Sequence, residues 1–226
     1  MVTSAYSLSQ CRRMDLSNML TKMVIPAGDA QLVQILDAAL ADAAQRAGEW
    51  LACKAGCTQC CHGAFAISAL DAERLRAGME VLRTAEPAKA AAVEERAHAW
   101  IAAWSAGFPG DAETGTLGTS DEDQARFEEF ADEAPCPALN PATGLCDVYA
   151  WRPVTCRVFG PPTRAEEGGA LGCCELCFTG ASDAEIAACE MPVPHELQAR
   201  LIEQTGRSGE TVVAYALARK ESAAPR

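Results

Sequence analysis

The sequence predicts an all-α, mostly helical fold whose irregular, cysteine-rich loops form a metal-binding core. Three long segments carry apolar residues at the spacing of amphipathic helices. Alternation typical of a β-strand is limited to residues 147–151. The cysteines lie mainly where glycine and proline interrupt the helical periodicity, so we expect the thiols on loops between helices.

Local residues predict where the three long helices begin. Asp29 is expected to cap the first helix, Ser68 followed by Asp71 begins the second, and Pro87 suits the first position of the third. The helices are predicted over residues 29–47, 69–85 and 87–106. The first helix carries Leu32, Ile35, Leu36, Ala39 and Leu40 on one face, the second has Leu75, Met79 and Leu82 facing inward, and the third contains Val93, Trp100, Ile101 and Trp104.

The second half of the chain is predicted to be more irregular. Four glycines and a proline indicate a loop over residues 107–119, and Ser120 begins a short acidic helix that ends near Pro135. Residues 136–180 show little periodicity, and Ser182, Pro194 and Ser208 are expected to open three short helices. The predicted organisation is an N-terminal segment (1–28), a cysteine-cluster metal-binding domain (29–190) with a helical insertion at about 69–132, and C-terminal helices packed on it (191–226).

Composition narrows the function classes. The chain has 226 residues and a formal charge of −12, which argues against binding duplex nucleic acid or anionic lipid. We find neither a stretch apolar enough to span a bilayer nor a secretory signal, so a cytoplasmic location is expected. In that reducing compartment the 12 cysteines are expected to hold metal or do redox work and not to form structural disulfides.

Four thiols occur within nine residues in the first cysteine group, at Cys53, Cys57, Cys60 and Cys61. Thiols two or three residues apart can converge on one ion, and Gly56 gives the short loop the backbone freedom it needs. Crowded thiolates repel one another unless a cation or an iron–sulfur core neutralises them. The spacing therefore predicts metal ligands.

The second group, Cys136, Cys146 and Cys156, is spaced too widely to close a local metal-binding turn. These thiols are expected to reach the first group through the tertiary fold. Arg152 and Arg157 flank Cys156, and guanidinium groups there would offset thiolate charge and donate hydrogen bonds to sulfur. We therefore predict that both arginines lie beside the ligands.

These motifs resemble the YkgJ-type cysteine-cluster family, whose members are described as zinc- or iron-chelating proteins. The matching stretches are residues 53–61, 136–139, 144–149 and 152–159. The resemblance implies metal chelation but no established reaction. A flagellin lysine methylase shares this kind of cysteine pattern, which keeps a metal-dependent, methylase-like enzyme among the alternatives.

The remaining cysteines and histidines are less tightly constrained by sequence. Family members often carry one further cysteine after the last motif, whereas this chain has three, Cys173, Cys174 and Cys177. At least one of these is expected to bind the metal, or the group supports a second site. Cys11 and Cys189 are isolated and are interpreted as buried or free thiols. His62 is interpreted as a hydrogen-bonding neighbour of the site, and His98 and His195 as structural or exposed.

The metal is predicted to be an iron–sulfur cluster such as [4Fe–4S], with zinc as the alternative. A local cysteine run plus a distant cysteine is typical of iron–sulfur proteins, whereas structural zinc takes four ligands in a closed site. The predicted function is metal binding for electron transfer or sensing, with an unknown protein or redox partner. The alternatives are a zinc-stabilised interaction module or a metal-dependent enzyme.

Overall fold

The structure is a computed structural model that describes residues 25–165 and 168–218. In these ranges helix exceeds strand, and the mostly helical fold class is confirmed. The α-helices are α1 (Asp29–Ala47), α2 (Ala69–Ala85), α3 (Pro87–Trp104), α4 (Asp121–Glu128), α5 (Val154–Val158), α6 (Asp183–Ala188), α7 (His195–Gln204) and α8 (Val213–Leu217). The strands are β1 (Ala66–Ser68), β2 (Gly110–Asp111), β3 (Thr116–Leu117), β4 (Leu139–Asn140), β5 (Leu145–Cys146), β6 (Thr163–Arg164), β7 (Leu171–Gly172) and β8 (Glu210–Val212).

The main core is formed by α2, α3 and α8. Ser68 and Asp71 make the predicted capping box at the start of α2, and Pro87 is the first residue of α3. Burial of the apolar faces of these helices supplies most of the stabilisation of the main core. The buried side chains that α2 and α3 contribute include Leu75, Met79, Leu82 and Val93, as predicted.

A second cluster joins α1 to α5 and α7. Leu32 and Leu36 are fully buried there, whereas Ile35, which was predicted to share their face, is 38 % exposed and lies outside the buried cluster. The expected cap at Asp29 is wrong: Gly28 is the N-cap, and the Asp29 carboxylate instead accepts a 3.0 Å hydrogen bond from Arg74 of α2. A buried arginine needs a partner of opposite charge, so this side chain joins two helices rather than ending one.

The strands form four antiparallel two-stranded ribbons in the described residues. β1 pairs with β8, although the paired residues lie 142 to 146 positions apart in sequence, and this pairing fixes α8 beside α2. The other three ribbons are local hairpins, β2–β3, β4–β5 and β6–β7. These short ribbons hold the loops in position around the helical core.

Several predicted boundaries differ from the structure: the third long helix ends at Trp104 and not at residue 106, and the short acidic helix ends at Glu128 and not near Pro135. The strand expected over residues 147–151 is instead a 3₁₀ turn at Tyr149–Trp151, which follows β5. The helix expected from Ser208 begins at Val213, because the preceding residues pair with β1 as a strand. No helix within the described residues has the length and apolar character required to cross a membrane.

Candidate metal centre

Cys136 and Cys146 are brought together by the β4–β5 hairpin. Cys146 pairs with Leu139 in the ribbon, and the Asp147 N–H donates a 2.8 Å hydrogen bond to the Ala138 carbonyl. Both cysteines are partly buried against the main helical core. The hairpin therefore closes the nine-residue gap between the two thiols.

The first cysteine group joins this hairpin through the backbone. The Cys136 N–H donates a 2.7 Å hydrogen bond to the Cys61 carbonyl, and a short 3₁₀ turn over Gln59–Cys61 places the cysteine doublet beside it. Thr58 also lies near the hairpin turn, since a Cβ on Gly144 would be 3.9 Å from its methyl carbon. These contacts bring together segments that are about 80 residues apart.

Cys156 lies on α5, whose start is anchored to α2. The Val154 N–H donates a 3.0 Å hydrogen bond to the buried Asp71 carboxylate. Trp151 packs over Gly78 so closely that a Cβ there would lie 2.3 Å from Trp151 Cγ. The segment between Cys146 and Cys156 is therefore held against α2 by a hydrogen bond and by ring packing.

Four thiols form one electrostatic neighbourhood, and we call them the core thiols. Burial raises the pKa of Cys156 well above its usual value, and the nearby Cys136, Cys146 and Cys60 raise it further. Burial likewise raises the pKa of Cys136 to about 12. The β4–β5 pairing, the hydrogen bond from Cys136 to Cys61 and the anchoring of α5 on α2 bring the segments that carry these thiols together. The core thiols are Cys60, Cys136, Cys146 and Cys156.

Four other thiols form a second neighbourhood, and we call them the satellite thiols. Burial raises the pKa of Cys53 to about 12, and Cys177, Cys57, Cys60 and Cys174 raise it further. Cys174 and Cys177 are buried in a small apolar cluster with Phe178, Cys189 and Ala47. The satellite thiols are Cys53, Cys57, Cys174 and Cys177. The predicted ligands thus divide into two neighbourhoods, with Cys60 close to both.

The remaining candidate residues lie around these two sets. Cys61 hydrogen-bonds to the Cys60 thiol, which is the largest influence raising the pKa of Cys60. Cys173 is exposed beside Cys174, and Cys189 is a buried free thiol, as interpreted from sequence. His62 is exposed and pairs with Pro135 in an isolated β-bridge. Cys11 lies outside the described residues.

Arg157 is buried, but its hydrogen bonds do not go to sulfur. It is 1 % exposed, and its guanidinium donates to Asp37 Oδ1 at 2.7 Å and to the Ala150 carbonyl at 2.6 Å. Sequence analysis missed Asp37, because it lies 120 residues away on α1 and no motif marks it. Arg157 therefore fixes the segment before Cys156 to α1 rather than donating to a thiolate.

Arg152 lies closer to the thiols. Its guanidinium stacks over the Tyr149 ring at 3.9 Å and is 3.4 Å from Asp37 Oδ1. The neighbouring Cys61 and burial raise the pKa of Cys60, and burial raises the pKa of Cys146. The positive charge of Arg152 opposes both increases. Of the two arginines, Arg152 is thus the one that favours thiolate formation at the core thiols.

The chemistry of the donor set fits zinc or iron. Thiolates are the ligands that select zinc and iron–sulfur clusters. Among the residues that the structure describes, no three His, Cys, Asp or Glu side chains form a group that could hold a metal ion. Thiols bind metal as thiolates, so metal binding by cysteines releases protons and depends on pH.

Comparison with known proteins identifies the family. Neither the curated proteins nor the solved structures contain a match to this chain. The family model described as "CxxCxxCC: Putative zinc- or iron-chelating domain" matches residues 52–177, which is more than half of the chain and includes both sets of thiols. This chain therefore belongs to the CxxCxxCC family of zinc- or iron-chelating domains.

Proposed function

We propose that this protein holds a thiolate-ligated iron–sulfur cluster at the core thiols and uses it for electron transfer or sensing. The observation that carries the proposal is that Cys136 and Cys146 pack on the main apolar core, while the Cys136 N–H donates to the Cys61 carbonyl and the helix that carries Cys156 is anchored on α2. Uncompensated thiolate charge in such a place is costly, so a metal centre accounts for the arrangement. The family supports chelation of zinc or iron.

Iron–sulfur is favoured over zinc because of how the ligands are supplied. The four core thiols come from separate stretches of the chain and include no pair of cysteines on one tight turn, whereas structural zinc is usually held by two such paired turns. Backbone N–H groups also face sulfur: those of Ala138 and Val148 oppose the pKa rise that burial causes at Cys136 and Cys146. Hydrogen bonds of this kind set cluster potentials.

A metal-dependent enzyme, including a methylase-like activity, is a second candidate because of one cavity. It has a volume of about 480 Å³, and its lining includes Cys173, Phe159, Arg164 and His195. That size is sufficient for a small ligand. The proposed setting for either function is the reducing cytoplasm, with a redox partner for the first and a small substrate for the second.

The test is anaerobic purification of the full chain followed by visible absorption and metal analysis. An iron–sulfur cluster gives a brown protein with broad sulfur-to-iron absorption, and Cys156→Ser should lose that colour. A colourless protein with stoichiometric zinc would overturn the iron–sulfur assignment. Purified, folded protein that contains and takes up neither metal would overturn metal binding altogether.

A further inference from the structure

We infer that the satellite thiols form a second, separate thiolate site for a divalent, thiophilic cation such as zinc. The four ligands would be Cys53, Cys57, Cys174 and Cys177. This inference rests on the proposed function, since it assumes that the protein binds metal through thiolates. It adds a site that the family description does not assign.

Gly160 lies between the two halves of this site. The Cys174 N–H donates a 3.2 Å hydrogen bond to the Gly160 carbonyl, and a Cβ on Gly160 would lie only 3.1 Å from Cys53 Sγ. Cys53 and Cys174 therefore flank the same residue although they are 121 residues apart in sequence. A side chain at position 160 would occupy space beside the Cys53 sulfur.

Two more contacts tie the cysteine segments together on either side. The Phe178 N–H donates a 2.8 Å hydrogen bond to the Trp50 carbonyl, and the Gln59 amide donates one of 2.8 Å to the Glu175 carboxylate. Three contacts thus join segment 50–60 to segment 160–178. The two segments have a fixed register before any metal binds.

Each half of the site is a tight turn that carries two thiols. The Cys57 N–H donates to the Lys54 carbonyl at 2.9 Å, and the Cys177 N–H donates to the Cys174 carbonyl at 2.8 Å. The thiols are three residues apart within the second turn and four within the first. Two paired cysteine turns are the usual ligand arrangement of a closed, four-coordinate zinc site.

The satellite thiols are separate from the core thiols in their packing. Cys174 and Cys177 belong to a small apolar cluster with Ala47 and Phe178, whereas Cys136 and Cys146 pack on the main helical core. Cys60 follows the segment that carries Cys53 and Cys57, and its neighbour Cys61 accepts the hydrogen bond from Cys136 at its carbonyl. Four thiols on each side match two four-coordinate centres better than one centre with eight ligands.

The structure also provides matched controls. Cys173 is adjacent to Cys174 but exposed. Cys189 directly follows α6 and is buried in the same apolar cluster as Cys174 and Cys177. Neither lies on a turn that carries two thiols and contacts the other cysteine segment. A Cys173→Ser/Cys189→Ala variant therefore removes two nearby cysteines without removing a proposed ligand.

The test is an anaerobic titration of the metal-free full chain with Co²⁺, which reports tetrahedral thiolate ligation by its visible absorption. The parent and the Cys173→Ser/Cys189→Ala control should each bind two equivalents. Cys174→Ser/Cys177→Ser and Cys146→Ser/Cys156→Ser should each bind one. A satellite variant that still binds two equivalents, or a parent that binds one, would overturn the second site while leaving the proposed function intact. A parent that binds none would overturn the proposed function itself.

A measurement on the parent covers the case of a variant that fails to fold. The thiols are alkylated at increasing Co²⁺ concentrations, and the modified cysteines are identified by mass spectrometry. One set of thiols should become protected from alkylation by the first equivalent of Co²⁺ and the other set by the second. Joint protection of all eight thiols by the first equivalent would overturn the second site.

Discussion

The core thiols and the satellite thiols contain the same residue type in the same number, but they are supported differently. Three of the four core thiols lie on a hairpin and a helix beside α2, and the positive charge of Arg152 favours the thiolate forms of Cys60 and Cys146. The satellite thiols lie on two loop turns that contact each other and a small apolar cluster. The comparison indicates that the first set is coupled to the helical fold and the second mainly to its own loops.

The largest expected effect is a difference in stability between Cys136→Ser and Cys177→Ser. Structural metal sites contribute about 10 kcal/mol or more of apparent binding free energy, so losing a ligand at the core thiols should cost several kcal/mol of unfolding free energy. Cys177→Ser should cost clearly less, because loop turns can open without the helices unfolding. Chemical denaturation of the metal-loaded proteins, followed by circular dichroism, measures both. Equal losses would contradict the proposed difference in coupling.

Arg157→Leu should destabilise the fold without removing metal from folded protein. The change leaves Asp37 and the Ala150 carbonyl without their partner. Breaking a fully buried ion pair costs about 3–5 kcal/mol, and we expect about 2 kcal/mol here because Asp37 is 47 % exposed. Thermal unfolding and metal analysis are measured on the same sample, with Asp37→Asn as the matched control. Loss of metal from the folded Arg157→Leu protein would show that the arginine acts on the thiolates after all.

Arg152→Leu should have the opposite pattern, with weaker metal binding and a smaller change in stability. Removing the charge near Cys60 and Cys146 leaves their thiolates less favoured. Groups that support metal ligands in this way typically change affinity by about 10- to 100-fold, and we expect the lower end. Competition with a chelator measures the affinity, and Arg152→Lys should restore most of it. A lysine variant as weak as the leucine variant would exclude a charge effect.

The smallest expected effect is at Gly160, where an alanine should affect the satellite thiols alone. Gly160 has φ +123°, and its added Cβ would press on Cys53 Sγ. Backbone strain of this kind costs about 1–3 kcal/mol. Gly206→Ala is the control, because it also has positive φ (+64°) but has no atom within 4 Å of its added Cβ. Co²⁺ binding should weaken for one equivalent in Gly160→Ala and be unchanged in Gly206→Ala.

Sequence predicted the helices well because their boundaries depend on neighbouring residues. Ser68 with Asp71, Pro87 and Ser120 act within one turn of the helix they begin, and all four have the predicted positions. The helix expected at Ser208 was wrong because its first residues pair with β1, more than 140 residues earlier. Pairing over such a distance has no local pattern.

The sequence predicted the kind of ligand but not how the cysteines are grouped in the folded chain. Cysteine spacing predicted metal ligands in segments that lie within the match to the chelating family, since crowded thiols favour a cation. The division into two sets depends on Gly160, Gln59 and Glu175, whose contacts with the cysteine segments form only in the folded chain. The partner of Arg157 was missed for the same reason, because Asp37 lies on a helix that precedes every cysteine in the described residues.

X-ray absorption at the metal edge of the purified full chain tests the central claim of thiolate ligation most directly. The account predicts zinc or iron with a shell of sulfur ligands at about 2.3 Å, and loss of that shell in Cys136→Ser/Cys156→Ser if the metal is at the core thiols. Cys173→Ser should leave the spectrum unchanged. A metal surrounded by oxygen and nitrogen, with the cysteines freely alkylated in the folded protein, would contradict the account.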